Sequence, residues 1–578
     1  MHRTVRIAGL SVATVLLAGC GLQQPAPFDP GVLQEPDRSS AQQLTPAPMR
    51  PLPTTLESLP PTTQGAAQGA APQSSGPRQA TGHPAGDLPT IRLSLREIVQ
   101  RSVVNSREVK VAGYDAAIAQ TRVVEAQAHF DPIFFTNLKY EHQDAATAGQ
   151  LIPDPADPLK NILLNVERGD IYTIEPGVKE QLPSGGQASI SYQLQDSHFS
   201  PKTFEVNPYW ENQLKLEFDQ PLLRQFGYDV NQAKITIARN DQRVSILDFR
   251  KALEENIANI EKDYWDLVEA EQEVLIQVEL LNRTMDTADV LIGRFEAGGD
   301  VSRVQTSQAT ASVRSREAVL IAARARLGDI SDDLKRRMND PEFPVAGEVV
   351  ILASDLPLET MIQFDPKDQI DTAMENRLEL GQQQLRISSA DVASDVAKNN
   401  LLPKLDLQTT VGLQGLKADE GNALTQDTED GHISYSFALQ FELPIGNREA
   451  RSVYRRAELQ RSQAIEQYGF LVEQVSQDVK TALREVQTTW EELGARRQAR
   501  FAASDSLHAI DQQEEHGEAL TPTFVQLKLD SQERLADAQR EEATALSSYN
   551  DAISHLERAK GTLLRYNDVV MQEDPSLH

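Results

Sequence analysis

A long helical pattern dominates the first half of the chain. Residues 227–341 contain no proline between their two ends, and apolar residues recur at helical spacing over most of this stretch. Residues 231–295 are therefore predicted to form a single helix, which would be about 100 Å long at about 1.5 Å per residue. A turn at residues 296–300 and a second helix over residues 301–338 would complete a long antiparallel hairpin.

Alternating apolar and polar residues predict β-strands between this hairpin and an earlier helix, which is expected over residues 95–129, with Ser94 as its cap. The alternation occurs at residues 138–141, 190–195 and 214–219. One apolar and one charged face suits a membrane β-barrel strand, and it equally suits a half-buried soluble sheet. With residues 172–182, the segment at 190–195 would form an extra hairpin, which is either two further barrel strands or an extracellular flap.

The same order of elements begins again in the second half. Asn105 and Asn376 lie in comparable helices, and each is followed at the same interval by a proline, so an offset of 271 residues relates the two helices. Two alternating strands follow at residues 405–411 and 435–442. A second long helix, or rod, is predicted at residues 449–516, and a return helix at residues 522–566. The sequence therefore predicts a duplication, with a compact connector at residues 341–365.

The amino terminus is predicted to be a targeting segment. Residues 1–19 join a short basic start to an apolar run that is too short to span a bilayer. Residues 17–20 are similar to a bacterial lipobox, so Cys20, the only cysteine, is expected to carry a lipid anchor. Gly21 rather than aspartate follows, which in such lipoproteins favours the outer membrane. Residues 20–90 are rich in proline, glutamine and small residues and are predicted to be a disordered tether.

Composition and spacing argue against several classes of function. A net charge of −29 disfavours nucleic acid or an anionic membrane surface as a partner. The ten histidines are scattered without metal-ligand spacing, and no glycine-rich phosphate loop precedes a helix. We therefore predict that the protein is not an enzyme and holds neither a metal nor a cofactor, so that its function comes from its shape.

Short motifs occur at the exits from the strands, in the first rod and at its far end: Gln220-Pro221-Leu222-Leu223, Leu443-Pro444-Ile445, Tyr264-Trp265-Asp266-Leu267-Val268, Arg294-Phe295-Glu296-Ala297-Gly298 and Val304-Gln305. Together with the lipobox and the repeated order of elements, they make the chain resemble the TolC-type outer-membrane efflux proteins in their lipid-anchored form. The resemblance covers residues 92–570.

This resemblance implies a trimer that is mainly α-helical with a membrane β-barrel. Each protomer would contribute strands to one shared barrel and helices to a long periplasmic α-helical barrel. The family's four strands per protomer give 12 strands, and the extra hairpin would give 18. An open set of strands could not sit in lipid with unpaired edges. Residues 91–340 and 366–570 would be the two tandem repeats, and residues 571–578 a tail.

The implied function is a passive duct of a tripartite efflux system, which exports small molecules with a periplasmic adaptor and an inner-membrane pump. Two alternatives stay open: the outer-membrane conduit of type I protein secretion, and a periplasmic coiled-coil lipoprotein with a structural or adaptor role. The closed periplasmic tip and the adaptor contact are expected at the two helical turns: Phe295, Gly298, Gly299, Arg303, Val304, Gly517, Pro522 and Phe524. The family often has an acidic residue near the positions of Arg303 and Phe524, so an aspartate gate is not carried over.

Overall fold

The computed structural model describes residues 88–154, 157–200, 207–299, 301–417 and 432–569. The predicted signal segment, Cys20 and nearly all of the predicted tether lie outside these residues, as does the carboxyl-terminal tail. In the described part, helices lead into strands, and the strands lead into a long helical hairpin, first in one half of the chain and then in the other.

The α-helices are α1 (Leu95–Asn105), α2 (Arg107–Gln127), α3 (Tyr228–Asn231), α4 (Ala233–Glu296), α5 (Arg303–Met338), α6 (Pro366–Asn376), α7 (Leu378–Asn399), α8 (Arg448–Glu515), α9 (Pro522–Ala559) and α10 (Leu563–Tyr566). The strands are β1 (Thr90–Leu93), β2 (Ile133–Asp154), β3 (Asp157–Gln181), β4 (Gln187–Ser200), β5 (Tyr209–Pro221), β6 (Val350–Ala353), β7 (Lys404–Lys417) and β8 (His432–Glu442).

The predicted rods are confirmed as the single long helices α4 and α8. Helix α4 buries a stripe with alternating steps of three and four residues, which includes Ile257, Ile260, Tyr264 and Leu267. The Tyr264 ring is fully buried in this stripe, which is the packing role that its position predicts. Its hydroxyl accepts a hydrogen bond from the Asp355 amide at 3.0 Å. At about 1.5 Å per residue, each rod is about 100 Å long.

The helices form one layer of four columns. Helix α4 packs against α2 and α5 on one side and against α7 and α9 on the other, and α8 packs against α7 and α9. The shorter helices meet end to end. Asn339, at the end of α5, donates to the Asn105 carbonyl at 3.1 Å, and Arg377, before α7, donates to the Ala559 carbonyl at 3.1 Å. Two short helices therefore match the length of one rod.

The single helix predicted over residues 95–129 is wrong, because the chain breaks at Ser106. Ser106 has an extended backbone between α1 and α2. The Asn256 side chain of α4 accepts a hydrogen bond from the Ser102 hydroxyl at 2.9 Å and donates to the Ser106 hydroxyl at 3.4 Å. These buried contacts stabilise the break. A corresponding break at Arg377 separates α6 from α7, and the offset between the two breaks is again 271 residues.

The strands form two sheets. The larger sheet has the order β2-β3-β4-β5-β7-β8, with every neighbouring pair antiparallel. The predicted strand segments all fall in this sheet, and the extra hairpin, β3 with β4, lies inside it. In the smaller sheet, β1 pairs in parallel with β6, which comes from the connector predicted at residues 341–365.

Candidate duct wall and periplasmic tip

One face of the larger sheet is apolar and exposed. On β8, every second residue is large and apolar, from Ile433 to Phe441, and each is more than half exposed. The pairing of the strands places exposed apolar residues of the other strands on the same face: Phe134, Leu138, Tyr140, Ile174, Val178, Ile190, Leu216 and Phe218. A protein in water does not leave such a surface uncovered, whereas a lipid bilayer covers it.

The opposite face of the sheet is polar. Lys139 pairs with Glu141 at 2.5 Å, Lys404 pairs with Asp406 at 3.0 Å, and Lys215 pairs with Glu217. Gln193 and Gln195 of β4 lie on the same face and line a groove with the charged residues of β2. An apolar face backed by a charged one is the arrangement of a barrel wall around water.

Both layers have two open edges. Strands β2 and β8 each have one neighbouring strand in the sheet. In the helical layer, the edge made by α2 and α5 and the edge made by α8 carry exposed apolar side chains, among them Val111, Tyr114, Ile321, Leu459 and Phe470. Unpaired strand edges and apolar helix faces are the parts of a fold that another chain covers.

The first helical tip is a tight glycine turn. Gly298 has a φ of 71°, and its amide donates to the Phe295 carbonyl at 3.1 Å. The Gly299 amide donates to the Arg294 carbonyl at 2.9 Å. These two bonds form a Schellman motif, which ends α4 and satisfies its last carbonyls. The return helix α5 then begins at Arg303, slightly later than predicted.

The second tip repeats this geometry. Gly517 has a φ of 89°, its amide donates to the Glu514 carbonyl at 3.0 Å, and the Glu518 amide donates to the Gln513 carbonyl at 3.1 Å. Helix α9 then begins with Pro522 at its first position, after the Thr521 side chain has capped it. The two glycines predicted at the tips therefore have the same backbone role.

The other predicted tip residues fall into two environments. Phe524 is buried in an apolar cluster between the two hairpins, together with Leu291, Val301, Leu520 and Val525. Phe295 and Arg303 instead line an open groove on the first hairpin, and Val304 is 71% exposed. The structure therefore does not gather the predicted residues into one site. Phe524 is in the packed core of the tip, and the exposed residues are free for a partner.

Gln305 was not among the predicted tip residues, although it links the two hairpins. Its side chain accepts a hydrogen bond from the Ser302 amide at 2.7 Å, which closes a capping box at the start of α5. The same side chain donates to the Leu520 carbonyl of the second tip. The spacing of Ser302 and Gln305 is a capping-box signal that the sequence contained.

Arg316 is a second link that sequence reasoning missed. Its guanidinium is buried and donates to the Leu529 carbonyl at 2.9 Å, to Gln532 at 3.4 Å and to the Thr284 hydroxyl. Burial lowers the pKa of the Arg316 side chain, while the nearby Glu533 carboxylate opposes that shift. A charge at an apolar position of the α5 stripe was the available signal.

In the duct that the family resemblance implies, replacing Gly298 with valine is expected to impair export while leaving the implied trimer and lipid anchor intact. A β-branched residue in the left-handed region is strained by about 1–2 kcal/mol, so the turn at the tip would be displaced. Export is measured by drug susceptibility in a deletion strain that carries the variant. Gly293→Val is the matched control, because Gly293 is helical with open space around it. Unchanged export in Gly298→Val would contradict the role of this turn.

A buried carboxylate lies in the helical wall at Glu254. Burial, and then the nearby Glu379 carboxylate, raise its pKa from an ordinary 4.5 to about 7, although Arg377 and Lys251 oppose the shift. The folded protein therefore binds more protons than the unfolded chain between about pH 4.5 and pH 7. Within that window, stability falls as the pH rises.

Glu254→Gln should therefore stabilise the protein at pH 8 and leave it unchanged near pH 4.5. The charge that the substitution removes costs about 1–3 kcal/mol once it is fully ionised. Thermal unfolding of the two proteins at both pH values measures the difference. An equal shift at both pH values would show that ionisation of this side chain is not the cause.

Two further features bear on the class of protein. Among the described residues, no helix is both long and apolar enough to cross a bilayer. The described part of the chain also contains no cluster of three histidine, cysteine, aspartate or glutamate side chains that could hold a metal ion.

Comparison with known proteins agrees with this geometry. Residues 369–562 match the family of outer membrane efflux proteins. The resemblance to the outer-membrane efflux family is confirmed. No curated protein sequence is significantly similar to the chain. The chain shares its fold with the Campylobacter jejuni outer membrane channel CmeC, at 15% identity and a TM-score of 0.56, over 83% of this chain and 87% of that one.

Two other solved structures show the same fold. VceC of Vibrio cholerae is 16% identical with a TM-score of 0.57, over 81% of this chain and 96% of its own. The MtrE outer membrane channel of Neisseria gonorrhoeae is 15% identical with a TM-score of 0.55, over 88% of this chain and 99% of its own. The matched family model describes outer membrane efflux proteins, and CmeC and MtrE are outer membrane channels.

Proposed function

We propose that this protein is the passive outer-membrane duct of a tripartite system and exports small molecules as a lipid-anchored homotrimer. The observation that carries the proposal is a sheet with one apolar and one polar face that continues directly into rods about 100 Å long. The sheet suits passage through lipid, and the rods suit the span of the periplasm. Such a duct needs no catalytic residue, since a partner pump drives the flow.

The open edges of both layers support an assembly of several copies. A closed barrel needs β8 of one protomer to pair with β2 of the next, because a strand edge in lipid would leave backbone groups without hydrogen bonds. The apolar residues on α8 would at the same time meet those on α2 and α5 of the neighbouring copy. Three copies are what the family resemblance implies.

The two glycine turns support a closed periplasmic end that contacts an adaptor. Phe524 and the cluster around it pack the two tips against each other. The exposed groove at Phe295 and Arg303, with Val304 beside it, offers a surface to the adaptor. The lipobox at residues 17–20 supports acylation of Cys20, which lies outside the described residues.

The proposal is tested on the purified protein and on a deletion strain. We expect heat-modifiable trimers that require detergent, labelling of Cys20 by a radioactive fatty acid, and increased drug or metal sensitivity in the deletion strain. A protein that is a soluble monomer once its lipid is removed would overturn the duct and support the adaptor-like lipoprotein. Loss of a secreted protein from the medium, with unchanged drug and metal sensitivity, would instead support type I secretion.

A further inference from the structure

The turn between β3 and β4 lies at the helical end of the sheet. This turn, at residues 182–186, is hydrogen-bonded to the segment that leaves β5 for the helices. The Gly227 amide donates to the Ser184 carbonyl at 3.1 Å, and the Ser184 hydroxyl donates to the Gln220 side chain at 2.9 Å. An extracellular flap would turn at the opposite end of the sheet. The chain in β3 and β4 therefore runs the full height of the sheet and back.

The register shows that β3 and β4 are ordinary members of the sheet. Strand β4 pairs without interruption with β5, from Gln187 opposite Asp219 to Ser197 opposite Tyr209. Strand β3 pairs with β2 on its other side. Because the backbone of the hairpin is paired on both sides, removing it from the sheet would expose two new edges.

The apolar face runs across the hairpin without a gap. A single row of directly paired residues, one from each of β2, β3, β4, β5, β7 and β8, is apolar throughout: Phe134, Val178, Ile190, Leu216, Val411 and Tyr435. The row beside it, on the opposite face, includes Ser191, Lys215 and Ser434. A hairpin that lay outside the membrane would have no reason to continue the lipid-facing row.

At a typical strand tilt, the two layers have the same width when each protomer contributes six strands. Four helix columns from each of three protomers, packed about 9 Å apart, close with a circumference of about 110 Å. Eighteen strands at about 4.8 Å spacing and a tilt of about 40° also close at about 110 Å, whereas twelve close at about 75 Å. Six strands per protomer therefore join the helical barrel without a constriction.

We propose that all six strands of each protomer cross the outer membrane, so that the trimer forms an 18-stranded barrel as wide as the helical barrel beneath it. This inference rests on the proposed function and deepens it. The membrane wall is then no narrower than the helical barrel. The duct accepts solutes that are too bulky for a twelve-stranded barrel.

Cysteine accessibility tests whether β3 and β4 line the barrel. Thr173→Cys and Ser191→Cys lie on the polar face, whereas Ile174→Cys and Ile190→Cys lie on the apolar face. In intact outer membranes, a water-soluble maleimide should label the first pair and not the second. Equal labelling of all four would overturn the inference. The unsubstituted protein supplies the background labelling.

The same experiment on β5 keeps the inference separate from the proposed function. Lys215→Cys should be labelled and Leu216→Cys should not, because β5 belongs to the wall with either number of strands. If labelling alternates between adjacent residues of β5 but not of β3 and β4, the result supports the duct and contradicts the 18-stranded barrel. If β5 does not alternate either, the membrane duct itself fails.

The width of the barrel is measured by spin labels on Lys215→Cys in the trimer. Across an 18-stranded barrel, labels on two protomers should be about 30 Å apart, compared with about 20 Å across twelve strands. A distance near the shorter value would overturn the inference.

A shortened protein, with residues 142–208 replaced by Asn-Gly, would pair β2 directly with β5 and place Phe134 opposite Leu216. The label distance in its trimer should fall to about two thirds of the full-length value, in proportion to the strand number. An unchanged distance in this trimer would contradict the inference. If the shortened chain does not assemble, the distance in the full-length protein still decides between the two barrels.

Discussion

Gly185→Val is expected to abolish the assembled trimer in the outer membrane. Gly185 has a φ of 96°, and a Cβ atom there would collide with the Gln225 carbonyl oxygen, which belongs to the rigid exit from β5. Left-handed strain and a backbone clash together cost about 3 kcal/mol or more, and each trimer contains the substitution three times. The yield of heat-modifiable trimer in outer-membrane fractions measures the effect.

Pro183→Val is the matched control for this experiment. It adds the same side chain to the same turn, at a position where φ is already negative, so the substitution creates no left-handed strain. We expect normal trimer yield from this variant. A normal yield from Gly185→Val as well would show that the turn is not held against the exit from β5.

Arg316→Ala is expected to destabilise the periplasmic half of the protein by about 2–4 kcal/mol per protomer, since it leaves buried polar groups unpaired. The Leu529 carbonyl, the Thr284 hydroxyl and the Gln532 side chain would all lose a charged donor. The midpoint of thermal unfolding at a fixed heating rate, followed by circular dichroism of the helices, should fall by several degrees. Loosened tips should also admit a large antibiotic that the outer membrane normally excludes.

Arg314→Ala provides the comparison on the same helix. Arg314 is exposed. Within the described structure, its ion pair is with Glu317 on the same helix, at 2.7 Å. Such a pair contributes about 0–1 kcal/mol, so its loss should leave the unfolding midpoint nearly unchanged. If the two variants unfolded alike, the buried contacts of Arg316 would not be what joins the hairpins.

Repeating patterns made most of the fold predictable. The 3.6-residue period over residues 231–295 and the two-residue period at 214–219 arise from which face of a helix or strand is covered, so they are visible in a short window. The tip glycines were predictable for a similar reason, since Gly298 and Gly517 are needed where a helix ends in the left-handed region. Phe524 was assigned to the tip, but its burial between the hairpins was not foreseen.

Long-range contacts decided what the patterns could not. The break at Ser106 depends on Asn256, which is 150 residues away in the chain. The link made by Arg316 depends on Leu529, 213 residues away. A local pattern contains no information about such partners, because a polar side chain looks the same in the sequence whether it meets water or a buried carbonyl.

The sequence by itself determined the elements of this chain: two long helical rods, alternating strands and glycine turns, each a consequence of local chemistry. Only the tertiary structure decided that the extra hairpin is part of the sheet. Alternating apolar and polar residues suit a strand in the barrel wall and a strand in a flap equally. The two arrangements differ in which backbone groups are hydrogen-bonded to each other. The register of β3 and β4, and the hydrogen bonds of the turn at Ser184, supply that information.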